Sequence, residues 1–98
     1  MKHFLLTYTL APDYLDRRAA YRDAHLANAW AAVERGEALL GGALVPADEA
    51  MLLFQGENAR AAEAFARSDP YVLNGIVTAW RVREWVTVVG AHSANPVR

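Results

Sequence analysis

The sequence predicts an α+β protein in which two helices cover one face of a single antiparallel sheet. Two observations support this fold class. The segments follow the order strand, helix, strand, strand, helix, strand, and the turn between the two middle strands is short enough for antiparallel pairing. The chain has 98 residues, of which 54% are hydrophobic, so it is long enough for one domain with one core.

The first strand and the first helix are predicted from two different periods. In "KHFLLTYT", Phe4, Leu6 and Tyr8 fall on one face of a strand. A long helix follows, with Asp13 as its N-cap and Gly36 as the glycine that ends it. Its predicted apolar stripe consists of five residues at helical spacing, namely Leu15, Ala19, Leu26, Trp30 and Val33.

The second half of the chain predicts a hairpin, a helix and a last strand. The apolar runs "EALLGGALV" and "EAMLLFQ" flank residues 46–48, which have the composition of a hairpin turn. Asn58 is predicted to cap the helix "ARAAEAFAR", which ends at Ser68 and Asp69. The segment "IVTAWRVREWVTVV" is rich in valine, threonine and tryptophan and therefore predicts a strand.

Together these elements predict the ferredoxin-like βαββαβ arrangement for residues 1–90, followed by an irregular tail at residues 91–98. Helices of such a fold cover only one face of the sheet, yet the last strand carries large apolar side chains on both faces. One face is predicted to carry Trp80, Val82 and Val86, and the other Val77, Ala79, Trp85 and Val89. The uncovered face is therefore expected to pack against a second copy of the chain.

Composition argues against several classes of protein. The net charge of −1 gives no field for nucleic acid or an anionic membrane, and the absence of cysteine removes disulfides and thiolate chemistry. The apolar runs fall short of the roughly 20 residues that cross a bilayer, so a soluble cytoplasmic protein is expected. His3, His25 and His92 lie far apart without metal-ligand spacing, and no nucleotide-binding motif is present, so neither metal nor cofactor is expected.

Three segments resemble the YciI-like family, also described as the YCII-related domain: "RRAAYRDAHL", "LLGGAL" and "SDPYVLNGIVTAWRVREW". The resemblance extends from the first strand to about Val89. It implies a dimeric α+β barrel, in which two ferredoxin-like sheets pack face to face as a homodimer. It also implies a functional pair, because the histidine and aspartate proposed to act in that family match His25 and Asp69 here.

The residues themselves leave structural alternatives open. Arg18 and Arg22 precede His25 by seven and three residues and share its helix flank, where they either bind an anionic ligand or form a solvated surface. An aspartate that accepts from one ring nitrogen of His25 leaves the other free for acid–base work. Asp69 followed by proline is equally typical of a helix cap, and Tyr71 either presents its hydroxyl to a ligand or packs at the turn.

The functional prediction is a cofactor-independent acid–base enzyme of lyase or isomerase type that acts on a small anionic or enolisable molecule. His25 and Asp69 are the predicted catalytic pair, and Arg18, Arg22 and Tyr71 are the predicted substrate-binding residues. The alternative is a non-catalytic binding or accessory module with the same cleft. A haem-associated activity, as in some neighbours of this barrel group, is a weaker third prediction.

Overall fold

The sheet has four antiparallel strands, which lie across it in the order second, third, first and fourth of the chain; this is the ferredoxin-like order and confirms the predicted fold class. The computed structural model describes residues 1–98. The strands are β1 (Lys2–Leu10), β2 (Ala38–Ala43), β3 (Glu49–Gly56) and β4 (Val77–Trp85). The helices are α1 (Tyr14–Arg17), α2 (Arg22–Glu34), α3 (Arg60–Ser68) and α4 (Pro70–Leu73), with a 3₁₀ turn at Arg18–Ala20.

The core lies between one face of the sheet and the helices. The alternation of β1 directs Phe4, Leu6 and Tyr8 into this core, as predicted, and all three are buried. Their partners on β3 are Phe54, Leu52 and Ala50. From above the sheet, α3 contributes Ala62, Phe65 and Ala66.

The prediction of one long first helix is wrong, because the helix is broken at Tyr21, which adopts φ −121° and ψ −2°. The break allows Tyr14 and His25 to contact the same ring, that of Tyr71, at centroid distances of 5.7 and 3.9 Å. In one straight helix these two residues would lie about 16 Å apart along the axis. The predicted end is confirmed, since Gly36 has φ +78° and donates its N–H to the carbonyl of Val33, while Glu37 donates to the carbonyl of Ala32.

The predicted apolar stripe does not form the buried face of α2. Leu26, Trp30 and Val33 are 37%, 64% and 38% exposed, whereas Ala32 is completely buried. Leu15 is also exposed. The three α2 side chains instead line a cleft between α2 and strands β2 and β3. The helix therefore packs on the sheet through its small residues and presents its large ones to this cleft.

The outer face of the sheet, which the helices leave uncovered, carries both apolar and charged groups. Val77 was predicted to share a face with Trp85, but a register shift between Thr9 and Leu10 pairs Val77 with Leu10 and buries it in the core. Trp85 does lie on the outer face and is 50% exposed. The neighbouring outer positions carry Leu5, Thr7, Met51, Leu53, Arg81 and Arg83.

Residues 86–98 contain no helix or strand. They fold back on themselves through backbone hydrogen bonds from Asn95 to Thr87 and from Val97 to Val88. Thr87 also meets the buried His3 side chain, with 2.8 Å between Oγ1 and Nδ1. No helix of the chain has both the length and the apolar character needed to cross a membrane.

Candidate functional site

Asp69 connects α3 to α4 and is completely buried. Its extended backbone, with φ −68° and ψ 124°, ends α3, and Pro70 follows as the first residue of α4. Oδ1 of Asp69 accepts a hydrogen bond from the backbone N–H of Tyr71 at 3.0 Å. Asp69 is thus a helix N-cap, which is one of the two roles that the sequence left open.

Two side chains from distant elements also meet the Asp69 carboxylate. The hydroxyl of Tyr8, on β1, donates to Oδ2 at 2.7 Å. Nδ1 of His25, on α2, lies 2.9 Å from both carboxylate oxygens. Burial raises the pKa of Tyr8 far above its usual range, and the charge of Asp69 and their hydrogen bond raise it further. Tyr8 therefore remains a protonated donor at neutral pH.

The Asp69 contact selects one tautomer of His25. A carboxylate only accepts hydrogen bonds, so the neutral ring carries its proton on Nδ1 and leaves a lone pair on Nε2. The ring stacks on Tyr71, with 3.9 Å between centroids and an interplanar angle of 8°. Nε2 has no hydrogen-bond partner in the protein. Every buried side-chain nitrogen or oxygen has such a partner, so Nε2 is not buried and is accessible from the cavity that His25 lines.

This cavity has a volume of about 440 Å³ and lies between α2 and the β2–β3 hairpin. That size falls in the range of small-molecule sites. Most of its wall is apolar, and the larger apolar side chains are Leu10, Leu26, Trp30, Val33, Leu39, Leu40 and Leu52. Its charged, histidine and tyrosine side chains come from β1, α1, the 3₁₀ turn, the start of α2 and α4.

Four of the five predicted site residues line the cavity, namely Arg18, Arg22, His25 and Tyr71, and Asp69 lies directly behind His25. Neither arginine takes part in an ion pair. No cluster of three or more histidine, aspartate or glutamate side chains is placed to bind a metal ion.

Sequence reasoning missed Tyr8 and Tyr14 as residues of the site, although both line the cavity. Tyr8 was assigned only to the apolar face of β1. A signal was nevertheless available, because the hydroxyl of a buried tyrosine normally requires a hydrogen-bond partner. Tyr14 carried no comparable signal, since its position follows from the break in the first helix.

Tyr8→Phe should destabilise the protein by about 1–3 kcal/mol near neutral pH, because it removes one donor from a buried carboxylate. The pKa of Tyr8 is higher in the folded protein than the ordinary tyrosine value of 10. Its contribution to stability is therefore complete below pH 10 and is lost as the pH rises above 10, where the unfolded chain ionises first. The variant should therefore lose less stability than the wild type above pH 10. Urea unfolding at neutral and alkaline pH measures both effects, with Tyr21→Phe as the control. Equal alkaline losses in wild type and Tyr8→Phe would contradict the assignment.

Solved structures of similar fold are dimeric α+β barrel proteins. A 5-chloro-2-hydroxyhydroquinone dehydrochlorinase from Burkholderia phenoliruptrix, solved with 2,5-dihydroxybenzoquinone, has 22% identity and a TM-score of 0.72, covering 93% of this chain and 98% of that chain. Rv0793 from Mycobacterium tuberculosis has 16% identity and a TM-score of 0.55, with coverages of 91% and 96%. An antibiotic biosynthesis monooxygenase-like protein from Deinococcus radiodurans has 15% identity and a TM-score of 0.54, with coverages of 94% and 97%.

No curated protein matches the chain significantly in sequence. The sequence profile of the YCII-related domain does match, over residues 1–86. That range includes all four strands and every residue of the candidate site described above. The chain therefore belongs to the family of YCII-related domain proteins.

Proposed function

We propose that this protein is a cofactor-independent enzyme that moves a proton on a small anionic or enolisable molecule, in a reaction of lyase or isomerase type. The observation that supports this function best is the contact between Nδ1 of His25 and the buried Asp69 carboxylate, with Nε2 left accessible from the cavity. Such an arrangement provides a general base whose tautomer is already selected.

In the proposed reaction, Nε2 of His25 removes a proton from the carbon beside a carbonyl group. The electron pair of the broken C–H bond moves onto the carbonyl oxygen and forms an enolate. Asp69 stabilises the resulting imidazolium, while Tyr8 and the Tyr71 N–H hold the carboxylate in place. An isomerase returns the proton to another carbon. In a lyase the carbonyl reforms, the electron pair of the enolate forms a double bond between the deprotonated carbon and the next carbon along, and the leaving group departs from that next carbon with its bonding electron pair.

Arg18 and Arg22 are the groups suited to hold the negative charge of the substrate and of the enolate. Both line the cavity and neither is neutralised by an acidic side chain. Tyr71 completes this end of the site. The apolar wall on the opposite side would exclude water from the rest of the substrate and strengthen these charge interactions.

The Burkholderia structure supports the reaction class only through its fold. Its name describes loss of hydrogen chloride from a chlorinated hydroxyhydroquinone, and it was solved with a dihydroxybenzoquinone. Loss of hydrogen chloride from such a compound involves proton transfer, which is the class of chemistry that we propose for His25. A shared fold alone does not transfer an activity, so the proposal depends on the geometry of His25 and Asp69.

His25→Asn should lower turnover by about 100-fold or more, because it removes the base while keeping a polar group of similar size. Two assays measure this effect: chloride release from 5-chloro-2-hydroxyhydroquinone, and deuterium exchange into phenylpyruvate followed by NMR. His92→Asn changes an exposed histidine in the tail and should have no effect. Failure of wild-type protein to accelerate either reaction, or equal rates in His25→Asn, would favour the alternative of a non-catalytic binding module.

We further propose that the outer face of the sheet packs against a second copy of the chain. Leu5, Met51 and Leu53 lie together on that face and are only partly buried within one protomer, and Trp85 is 50% exposed. Apolar side chains arranged in this way gain stability when a partner covers them. The dimeric nature of the structural neighbours supports the same arrangement.

Light scattering after size exclusion should give a mass about twice the 10.8 kDa of one chain. Trp85→Glu should convert the dimer to a monomer, because it replaces a large apolar side chain on the proposed interface with a charge. Val45→Glu adds the same charge at a residue that is 98% exposed in the hairpin turn, so it should leave the mass unchanged. A wild-type mass of 10.8 kDa at low micromolar concentration would reject the dimer.

A further inference from the structure

Two tyrosine hydroxyls at one end of the cavity have no protein partner. Tyr14 and Tyr71 are only 6% and 2% exposed, and both line the cavity. Every buried side-chain oxygen in the protein has a hydrogen-bond partner. Since these two hydroxyl oxygens have none, they must belong to the small exposed part of each residue. Buried tyrosines normally satisfy this group within the protein. A pair that does not is available to donate to a ligand.

The rings that carry these hydroxyls are held by aromatic contacts. Tyr14 meets Tyr71 edge to face, with 5.7 Å between centroids and an interplanar angle of 90°. Tyr71 in turn stacks on His25 at 3.9 Å. The two hydroxyls therefore have positions that are defined relative to the His25 ring. A ligand that bound them would not have to order flexible side chains first, which favours its binding.

The charges around these hydroxyls favour an anion. Arg18 and Arg22 line the same cavity, and the Arg18 guanidinium lies 5.6 Å from the centroid of the Tyr14 ring. No acidic residue lines the cavity, since Asp69 is completely buried behind His25. Burial and the neighbouring Tyr14 raise the pKa of Tyr71, although the two arginines partly oppose this. Tyr71 therefore keeps its proton at neutral pH and can donate it in a hydrogen bond.

We infer that Tyr14, Tyr71, Arg18 and Arg22 form an oxyanion subsite that binds the ionised oxygen of a flat phenolate or enolate. The apolar remainder of the cavity suits the uncharged body of such a ligand, because Arg18 and Arg22 are the only arginine or lysine side chains in the lining. The inference rests on the proposed function, for which it names the substrate class. It adds Tyr14 as a binding residue and gives the Tyr71 hydroxyl a defined partner.

Calorimetric titration of the full chain with 2,4-dinitrophenol, which is ionised at neutral pH, tests the subsite. The uncharged methyl ether of the same compound, 2,4-dinitroanisole, is the matched ligand. Wild-type protein should bind the phenolate at least about tenfold more tightly than the ether. Tyr14→Phe and Arg18→Gln should each weaken phenolate binding by about tenfold or more and leave binding of the ether unchanged.

Tyr21→Phe and Arg60→Gln are the matched controls, because neither residue lines the cavity. Thermal unfolding checks that each variant is folded, and the partly exposed Arg18 provides a decisive variant should Tyr14→Phe fail to fold. Equal affinity of the wild type for phenolate and ether would overturn the subsite, as would full phenolate affinity in folded Tyr14→Phe or Arg18→Gln.

The probe also separates this inference from the proposed activity. Dinitrophenolate has no acidic C–H bond for His25 to break, so its binding does not depend on turnover. Selective phenolate binding without any catalysed proton exchange would uphold the subsite and count against the enzyme. Proton exchange that is lost in His25→Asn but unaffected by Tyr14→Phe, together with equal binding of phenolate and ether, would uphold the enzyme and overturn the subsite.

Discussion

The structure depends most on the hydrogen bonds that surround one buried carboxylate. Asp69 is completely inaccessible to solvent, and a charge in such a position is tolerated only where donors replace the lost water. Those donors come from three elements: Tyr8 from β1, His25 from α2, and the backbone N–H of Tyr71 from α4. The carboxylate thereby ties the central strand to the two helices that form the polar end of the cavity.

The same interactions account for the features proposed to act on a ligand. His25 and Tyr14 must both reach the ring of Tyr71, which requires the break between α1 and α2. Arg18 lies beside Tyr14 because it follows Tyr14 by four residues, and it also lines the cavity. The structural role of Asp69 as a helix cap does not compete with a role in orienting His25, because separate donors satisfy the two functions.

Much of the fold was predictable because strand alternation and turn residues are local signals, and these gave the order and pairing of the strands. The pairing of His25 with Asp69 was suggested by family resemblance together with the chemistry of both residues. The partnership of Tyr8 with Asp69 joins positions 61 residues apart, which no local pattern reports. Trp30 was predicted on the apolar stripe of the first helix, because helical spacing shows which residues share a face. That spacing does not show whether the face meets the sheet or a cleft, and here it lines a cleft.

The central claim is that Asp69 holds the neutral His25 ring with its proton on Nδ1. NMR of protein labelled with ¹⁵N in its histidine rings, with His25 assigned through His25→Asn, measures this tautomer directly. We predict that Nδ1 is protonated and Nε2 is not in the wild type, and that Asp69→Asn abolishes this preference. A neutral His25 ring protonated on Nε2 in the wild type would contradict the account, because the nitrogen that faces the cavity would then be unable to accept a proton.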